Sequence, residues 1–274
     1  MKIVSRRAWS ELFWRLQPST RARWHVRKRL VFTVTAGRTG TEFLTRLLVG
    51  LPGVTAVHEP SPEFTLVMRE VQSDPGAAER FWENSKMPSI RRARGSIYIE
   101  TSHIASKGFF EPLLERNIVP DLILLERVPI ATATSHYLVA AVPARTQHGN
   151  AFLLRPDDPG VLPLPGWETT DDWSLCYWYC REMERRMAFY EAKICAMGGR
   201  VLRTSIDRLK TEPGLFDLVE FVGVGDSDVL VPVLRTQASK VVNSKQDTKA
   251  KYVRPLDLDL EKRAREVDAR IGLI

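Results

Sequence analysis

The sequence predicts an α/β fold: a three-layer sandwich whose central parallel sheet of about five strands is flanked by helices. Three observations predict it. Short β-rich apolar runs alternate with segments of helical periodicity from residue 30 to residue 205. The first such run breaks into a glycine turn and resumes at once as a helix. No run approaches eighteen apolar residues, so no segment reads as a transmembrane helix.

Taken in order, Leu30–Ala36 (LVFTVTA) reads as the first strand. It is followed by the turn Gly37-Arg38-Thr39-Gly40-Thr41 and a helix carrying Phe43, Leu44, Leu47 and Leu48 at helical spacing. Pro52-Gly53 closes that helix, and Val54–Val57 is the second strand, ending in His58-Glu59-Pro60. Residues 62–85 read as helical, with a break at Pro75-Gly76. Ser96–Glu100 is the third strand and leads to Thr101-Ser102-His103. A short helix around 107–116 precedes the fourth strand, Leu122–Leu125. Pro129 then suits the first turn of a helix reaching about Ala141. Residues 142–170 read as a long Pro/Gly loop of the kind that is usually functional or mobile, a candidate lid. A strong helix over 171–197 leads to a fifth strand in RVLRTS. The remainder reads as helical apart from the lysine-bearing stretch SKVVNSKQDTKAKYVRP. The economical division is a basic arm, residues 1–29, before one domain, residues 30–274.

The chain has 274 residues, 44% hydrophobic and 27% charged, which excludes a disordered or collagen-like protein. Its net charge of +7 is placed unevenly. Residues 1–29 carry nine Lys/Arg against Glu11 alone, and the rest holds 31 basic and 32 acidic residues. The charge therefore describes an arm on a neutral body, and nucleic acid is not expected as a partner. The arm has no apolar core segment or cleavage site, so it is not a secretory signal. Trp9, Phe13, Trp14 and Leu16 can share a helical face among arginines, which leaves open a weak contact with an anionic membrane surface. A solvated basic segment resting on the body is the plainer reading, and a transit peptide is a third. Cys176, Cys180 and Cys195 contain no Cys-x-x-Cys, and the five histidines lack ligand spacing, so neither a disulfide framework nor a metal site is expected. A reducing, cytoplasmic setting is expected, with any membrane contact peripheral.

Chemistry concentrates in two places. The glycine turn opens a helix whose N-terminal N–H groups and positive dipole end suit an anion, with Arg38, Thr39 and Thr41 adding charge and hydroxyls. It is not a Walker A loop, because Gly40 is followed by Thr41-Glu42 and no lysine. Arg127 stands at the carboxyl end of the fourth strand, eight residues before Ser135 on the next helix. Ligands of open parallel sheets bind outside these strand ends, where an arginine fork grips phosphate. Two anion sites on one sheet edge suit a bis-phosphorylated nucleotide.

TAGRTGTEFL and ERVPIATATSHY together resemble the sulfotransferase superfamily, which uses 3′-phosphoadenosine 5′-phosphosulfate (PAPS), in its carbohydrate and tyrosylprotein branch. The likeness covers residues 30–140 clearly and the chain to about 251 more loosely. It implies a P-loop-like fold, with Gly37, Arg38, Thr39, Gly40 and Thr41 as the 5′-phosphosulfate loop and Arg127 with Ser135 as the 3′-phosphate pair. The family's C-terminal basic segment is matched at Lys245, with Lys249 and Lys251 as alternatives. Glu42 stands where the family often has a second Thr, so its carboxylate has to point away from phosphate. Two residues compete as general base. Glu59, twenty-one residues after Arg38, matches the branch's catalytic Glu, and His103 resembles the Lys-Thr-His base of the small-molecule branch, with Glu100 in place of the lysine. The spacing places Glu59 ahead.

The function this implies is transfer of a sulfuryl group from PAPS to a hydroxyl acceptor, a carbohydrate or other small molecule, by in-line attack and without a metal. Two other classes stay open: a P-loop-related kinase using Mg-ATP, and a non-catalytic anion-binding module acting through the basic arm.

Overall fold

A computed structural model describes residues 24–240 and 259–273. Five strands, β1 (Arg29–Val34), β2 (Val54–His58), β3 (Ile97–Thr101), β4 (Asp121–Glu126) and β5 (Val201–Ser205), form one sheet in the order β2-β3-β1-β4-β5. All four pairings are parallel. The helices are α1 (Thr41–Leu48), α2 (Met68–Ser73), α3 (Pro75–Phe81), α4 (Met87–Arg92), α5 (Glu111–Leu114), α6 (Pro129–Leu138), α7 (Gln147–Phe152), α8 (Asp172–Ala196), α9 (Ile206–Leu209), α10 (Glu212–Val222), α11 (Ser227–Lys240) and α12 (Leu260–Arg270). The predicted class, a parallel sheet of five strands between helical layers, is the observed one.

Parallel strands covered on both faces need apolar side chains on both, and β1 shows why the residues comply. Leu30, Phe32 and Val34 face a core closed by α2–α6, α8 and α12, whereas Val31 faces the core closed by α1, α10 and α11. The first core is aromatic beneath Phe32, whose ring meets Trp82 and Phe110 at 5.8 Å and Tyr98 at 6.3 Å. Trp24 also lies in this core and hydrogen-bonds Glu83, while Arg29 pairs with Asp121 at 2.5 Å. The last residues of the basic arm are thus built into the body. Its residues 1–23 lie outside the described residues.

Two expectations need correction. The helical stretch predicted over 62–85 reaches Arg92 and is broken into a 3-10 turn, α2, α3, a π-helical turn at Trp82–Lys86 and α4. Asp74 caps α3 by accepting from the Gly76 N–H at 2.9 Å, which is the break expected at Pro75-Gly76. The loop 142–170 contains α7, capped by Thr146, and is fastened along its length. Arg69 grips Asp158 with both terminal nitrogens, at 3.0 and 3.1 Å. Glu182 accepts from the Leu162 N–H at 3.0 Å, Trp178 donates to the Leu162 carbonyl at 3.1 Å, and Arg270 of α12 donates to the Pro165 carbonyl at 2.6 Å. With Leu153, Leu154 and Leu164 buried as well, the segment is a fixed wall and not a free lid. None of the described helices is long and apolar enough to cross a membrane.

Candidate anion-binding and proton-transfer site

The carboxyl ends of β1, β2, β3 and β4 bring together the described residues singled out above for anion binding and proton transfer. After β1 the chain turns through Gly37 (φ 78°), Arg38 (φ 59°) and Gly40 (φ 97°), three departures into left-handed backbone around Thr39. Gly40 is required twice over. It sits at a φ that side chains avoid, and a Cβ there would lie 2.6 Å from Ile206. A Cβ on Gly37 would lie 3.1 Å from the ring of His103. Gly40 is also the N-cap of α1 and offers no side-chain cap, so the first-turn N–H groups are left for an outside acceptor.

The turn is held from below. The Ala36 carbonyl accepts from the Tyr179 hydroxyl and from His136 Nε2, each at 3.0 Å. Because a carbonyl only accepts, His136 carries its proton on Nε2, and burial keeps this ring neutral by pushing its pKa well down. Thr39 is buried with its hydroxyl against that of Thr35, so its side chain serves the turn internally. Thr41 begins α1, its carbonyl accepting from the Thr45 hydroxyl at 2.8 Å. Glu42 is bound by Arg46 at 2.6 Å one helical turn on, which draws its carboxylate away from the turn.

Arg38, Arg127 and Ser135 converge. Arg127 Nη1 donates to the Arg38 carbonyl at 2.7 Å, and Arg38 Nε donates to Ser135 Oγ at 3.0 Å. Partial desolvation, and then the facing charge of Arg127, hold the Arg38 guanidinium below its ordinary range. Neither arginine is paired with a carboxylate among the described residues. The acid beside Arg127 in sequence, Glu126, is taken by Arg203, which also binds Glu191. Two uncompensated guanidinium groups next to a helix N-terminus form a strong local anion site.

Glu59 and His103 are in direct contact. Glu59 follows β2 at φ 43°, and its Oε1 lies 2.8 Å from His103 Nδ1. Burial works to raise the Glu59 pKa, but the hydrogen bond and charge of His103, with His58 and Lys107 behind it, carry it down to about 2. Burial and the neighbouring Lys107 lower His103 to about 4 against the pull of Glu59. At neutral pH the pair is therefore a carboxylate and a neutral imidazole. Nδ1–H donates to Glu59, and Nε2 keeps its lone pair. The ring stacks on Phe152 of α7 at 6.1 Å, and Phe152 meets His148 at 4.9 Å.

The sequence reading missed three parts of this arrangement. Lys107 is fully buried, donates to the Phe152 carbonyl and lies 5.0 Å above the Tyr179 ring. Lys86 is buried against Glu100, and Tyr179 braces the turn from α8. A lysine in a helical segment and a tyrosine in an apolar run carry no local mark of such roles. Lys245, Lys249 and Lys251 lie outside the described residues. Cys176 and Cys180 are buried free thiols one turn apart on α8, and Cys195 is exposed.

No protein-family model matches the chain, and no curated protein is similar to it in sequence. Among solved structures it is similar to the sulfotransferase domain from the curacin biosynthetic pathway, at 13% identity and a TM-score of 0.47, over 89% of this chain and 98% of that one. It is also similar to mouse sulfotransferase SULT7A1 complexed with PAP, at 15% identity and a TM-score of 0.46, over 89% and 84% of the two chains. Likenesses this distant do not carry a chemistry, which has to be read from the side chains of the site.

Proposed function

We propose that the protein is a PAPS-dependent sulfotransferase acting on a hydroxyl acceptor, with carbohydrate as the first acceptor class to test. The observation that carries this reading is the pairing of two uncompensated arginines, on two strand ends, with a carboxylate–imidazole pair packed against the same glycine turn. The first element suits the phosphate groups of a nucleotide, and the second suits removal of a proton from a neutral nucleophile. A turn without a lysine disfavours the Mg-ATP alternative.

In this reaction the acceptor oxygen forms a bond to sulfur as the bond from sulfur to the 5′-phosphate oxygen breaks, releasing adenosine 3′,5′-bisphosphate (PAP). Negative charge grows on the departing oxygen, where Arg38 and the N–H groups of the turn are the available donors. One preorganised donor at such a point is worth roughly 2.7–4 kcal/mol. Arg127 and Ser135 orient the nucleotide through its 3′-phosphate. The acceptor proton passes to His103 Nε2, and Glu59 holds the ring through Nδ1 and stabilises the imidazolium that forms. On this reading the two candidate bases act as one unit. The experiment is incubation with PAPS and a panel of sugars, phenols and alcohols, monitoring PAP release. Acceptor-dependent release that His103→Ala reduces about a hundredfold supports the reading. PAP release that no acceptor stimulates, or that His103→Ala leaves intact, overturns it.

A further inference from the structure

Beneath the segment that carries Glu59 lies a fully buried ion pair that the reaction above does not use. Lys86 closes the π-helical turn Trp82–Lys86, and Glu100 is on β3; neither side chain is exposed at all. The ammonium group has three hydrogens and three acceptors: Glu100 Oε1 at 2.8 Å, the Pro62 carbonyl at 2.8 Å and, more loosely, the Pro60 carbonyl at 3.5 Å. It also lies 4.3 Å over the Phe64 ring. The other oxygen of Glu100 accepts from the Tyr98 hydroxyl at 2.7 Å.

We propose that Lys86 is a positioning residue for Glu59: it grips the carbonyls of Pro60 and Pro62, is itself held by Glu100 and Tyr98, and so keeps the Glu59 carboxylate on His103 Nδ1. Three considerations support this. A buried ion pair is seldom more stabilising than apolar residues of the same volume, so stability alone does not account for it. Glu59 stands in left-handed backbone, which an L residue keeps only when its surroundings over-determine it. A π turn adds a residue to the helix and re-aims its next side chains, and here it delivers a lysine inward beneath the Glu59 segment. Glu100, which stands where the resemblance expects a lysine, gains a role as well: one oxygen pairs with Lys86 and the other accepts from Tyr98.

The catalytic consequence rests on the proposed transfer reaction, but the geometry claimed for Glu59 does not. The test is the tautomer of His103, read from its ring-nitrogen NMR signals. The charges facing the pair are Lys107 and His58, with Glu100 bearing on Glu59 from β3. All of these except Glu100 are left in place. Wild type is expected to show His103 protonated on Nδ1, and Glu59→Ala, which leaves Nδ1 no acceptor at this position, defines the signal when the carboxylate is lost. The double variant Lys86→Met/Glu100→Gln removes both buried charges together, so neither is left unpaired. Its His103 signals are expected to move to those of Glu59→Ala, with kcat falling about tenfold or more and KM for PAPS unchanged. Lys86→Arg keeps the ion pair but displaces the Pro62 carbonyl, and is expected to move the same signals partway. It decides the question if the double variant does not fold. Wild-type His103 signals in either folded variant, while Glu59→Ala moves them, overturn the inference. If PAPS is not turned over at all, the transfer reading falls, and the His103 signals still decide the role of Lys86.

Discussion

Replacing Glu59 by Gln keeps the shape of the side chain and an oxygen for His103 Nδ1–H, but removes the charge. Glu59 Oε1 is 2.8 Å from Nδ1, and the two side chains are 30% and 14% exposed, so the contact is screened only in part. A hydrogen bond to a charged partner contributes about 1.5–3 kcal/mol, of which a neutral amide retains a minor share. The imidazolium is the form that loses most of it. The His103 pKa, already held at about 4, is expected to fall by about one to two further units. In the proposed mechanism the imidazolium develops in the transition state, so kcat is expected to drop about 10- to 100-fold, with little change in the KM for PAPS. The assay is initial-rate PAP release at saturating acceptor, alongside ring-nitrogen titration of His103. A Glu59→Gln enzyme with undiminished kcat would refute the reasoning. A loss much larger than that of His103→Ala would refute it differently, by making Glu59 itself the base.

The same geometry sets other outcomes. Arg127→Ala removes a 2.7 Å hydrogen bond to the Arg38 carbonyl as well as the proposed phosphate ligand, so calorimetry should show PAP binding about 1.5–3 kcal/mol weaker. Arg38→Ala and Arg127→Ala should be non-additive in a double-mutant cycle, since the residues touch. Gly40→Ala puts a methyl 2.6 Å from Ile206 at φ 97°, and thermal denaturation should show a loss of about 1–3 kcal/mol together with lost PAP binding. Stability should fall on acidification. His103 is lowered in the fold to about 4 from 6.5, so the unfolded chain binds the extra proton between these values, and about 2 kcal/mol should be lost from pH 8 to pH 5. Buried His136 adds in the same direction, and Glu59, lowered to about 2, extends the loss below pH 4.5. Unfolding that is flat between pH 8 and pH 5 contradicts this assignment.

Much of the fold is legible because β1 to β5 are short apolar runs bounded by turn residues. Each predicted strand matches an observed one to within two residues, as with Leu30–Ala36 against Arg29–Val34. The order β2-β3-β1-β4-β5 is not legible, because pairing is decided by how the crossover helices pack and not by local pattern. α7 is hidden for a different reason: six residues with Gly149 among them show no periodicity, and the helix forms against the loop's own anchors. The glycine turn, Arg38, Arg127 and Ser135 are readable as chemistry at strand ends, and the structure adds that they meet. Glu59 and His103 read as rivals because they are 44 residues apart, and only the adjacency of β2 and β3 makes them partners. Lys86 and Lys107 cannot be found from sequence, since an internal lysine looks like any surface lysine until its burial is known.

The carboxyl edge of the sheet is proposed to bind a nucleotide with two separated phosphates. The most direct measurement is calorimetric titration of the full chain with PAP in the presence of a chelator, beside ATP with Mg²⁺. The expected result is metal-independent binding of PAP, tighter than that of Mg-ATP and weakened by either Arg38→Ala or Arg127→Ala. Preference for Mg-ATP, or PAP binding indifferent to both arginines, would contradict it.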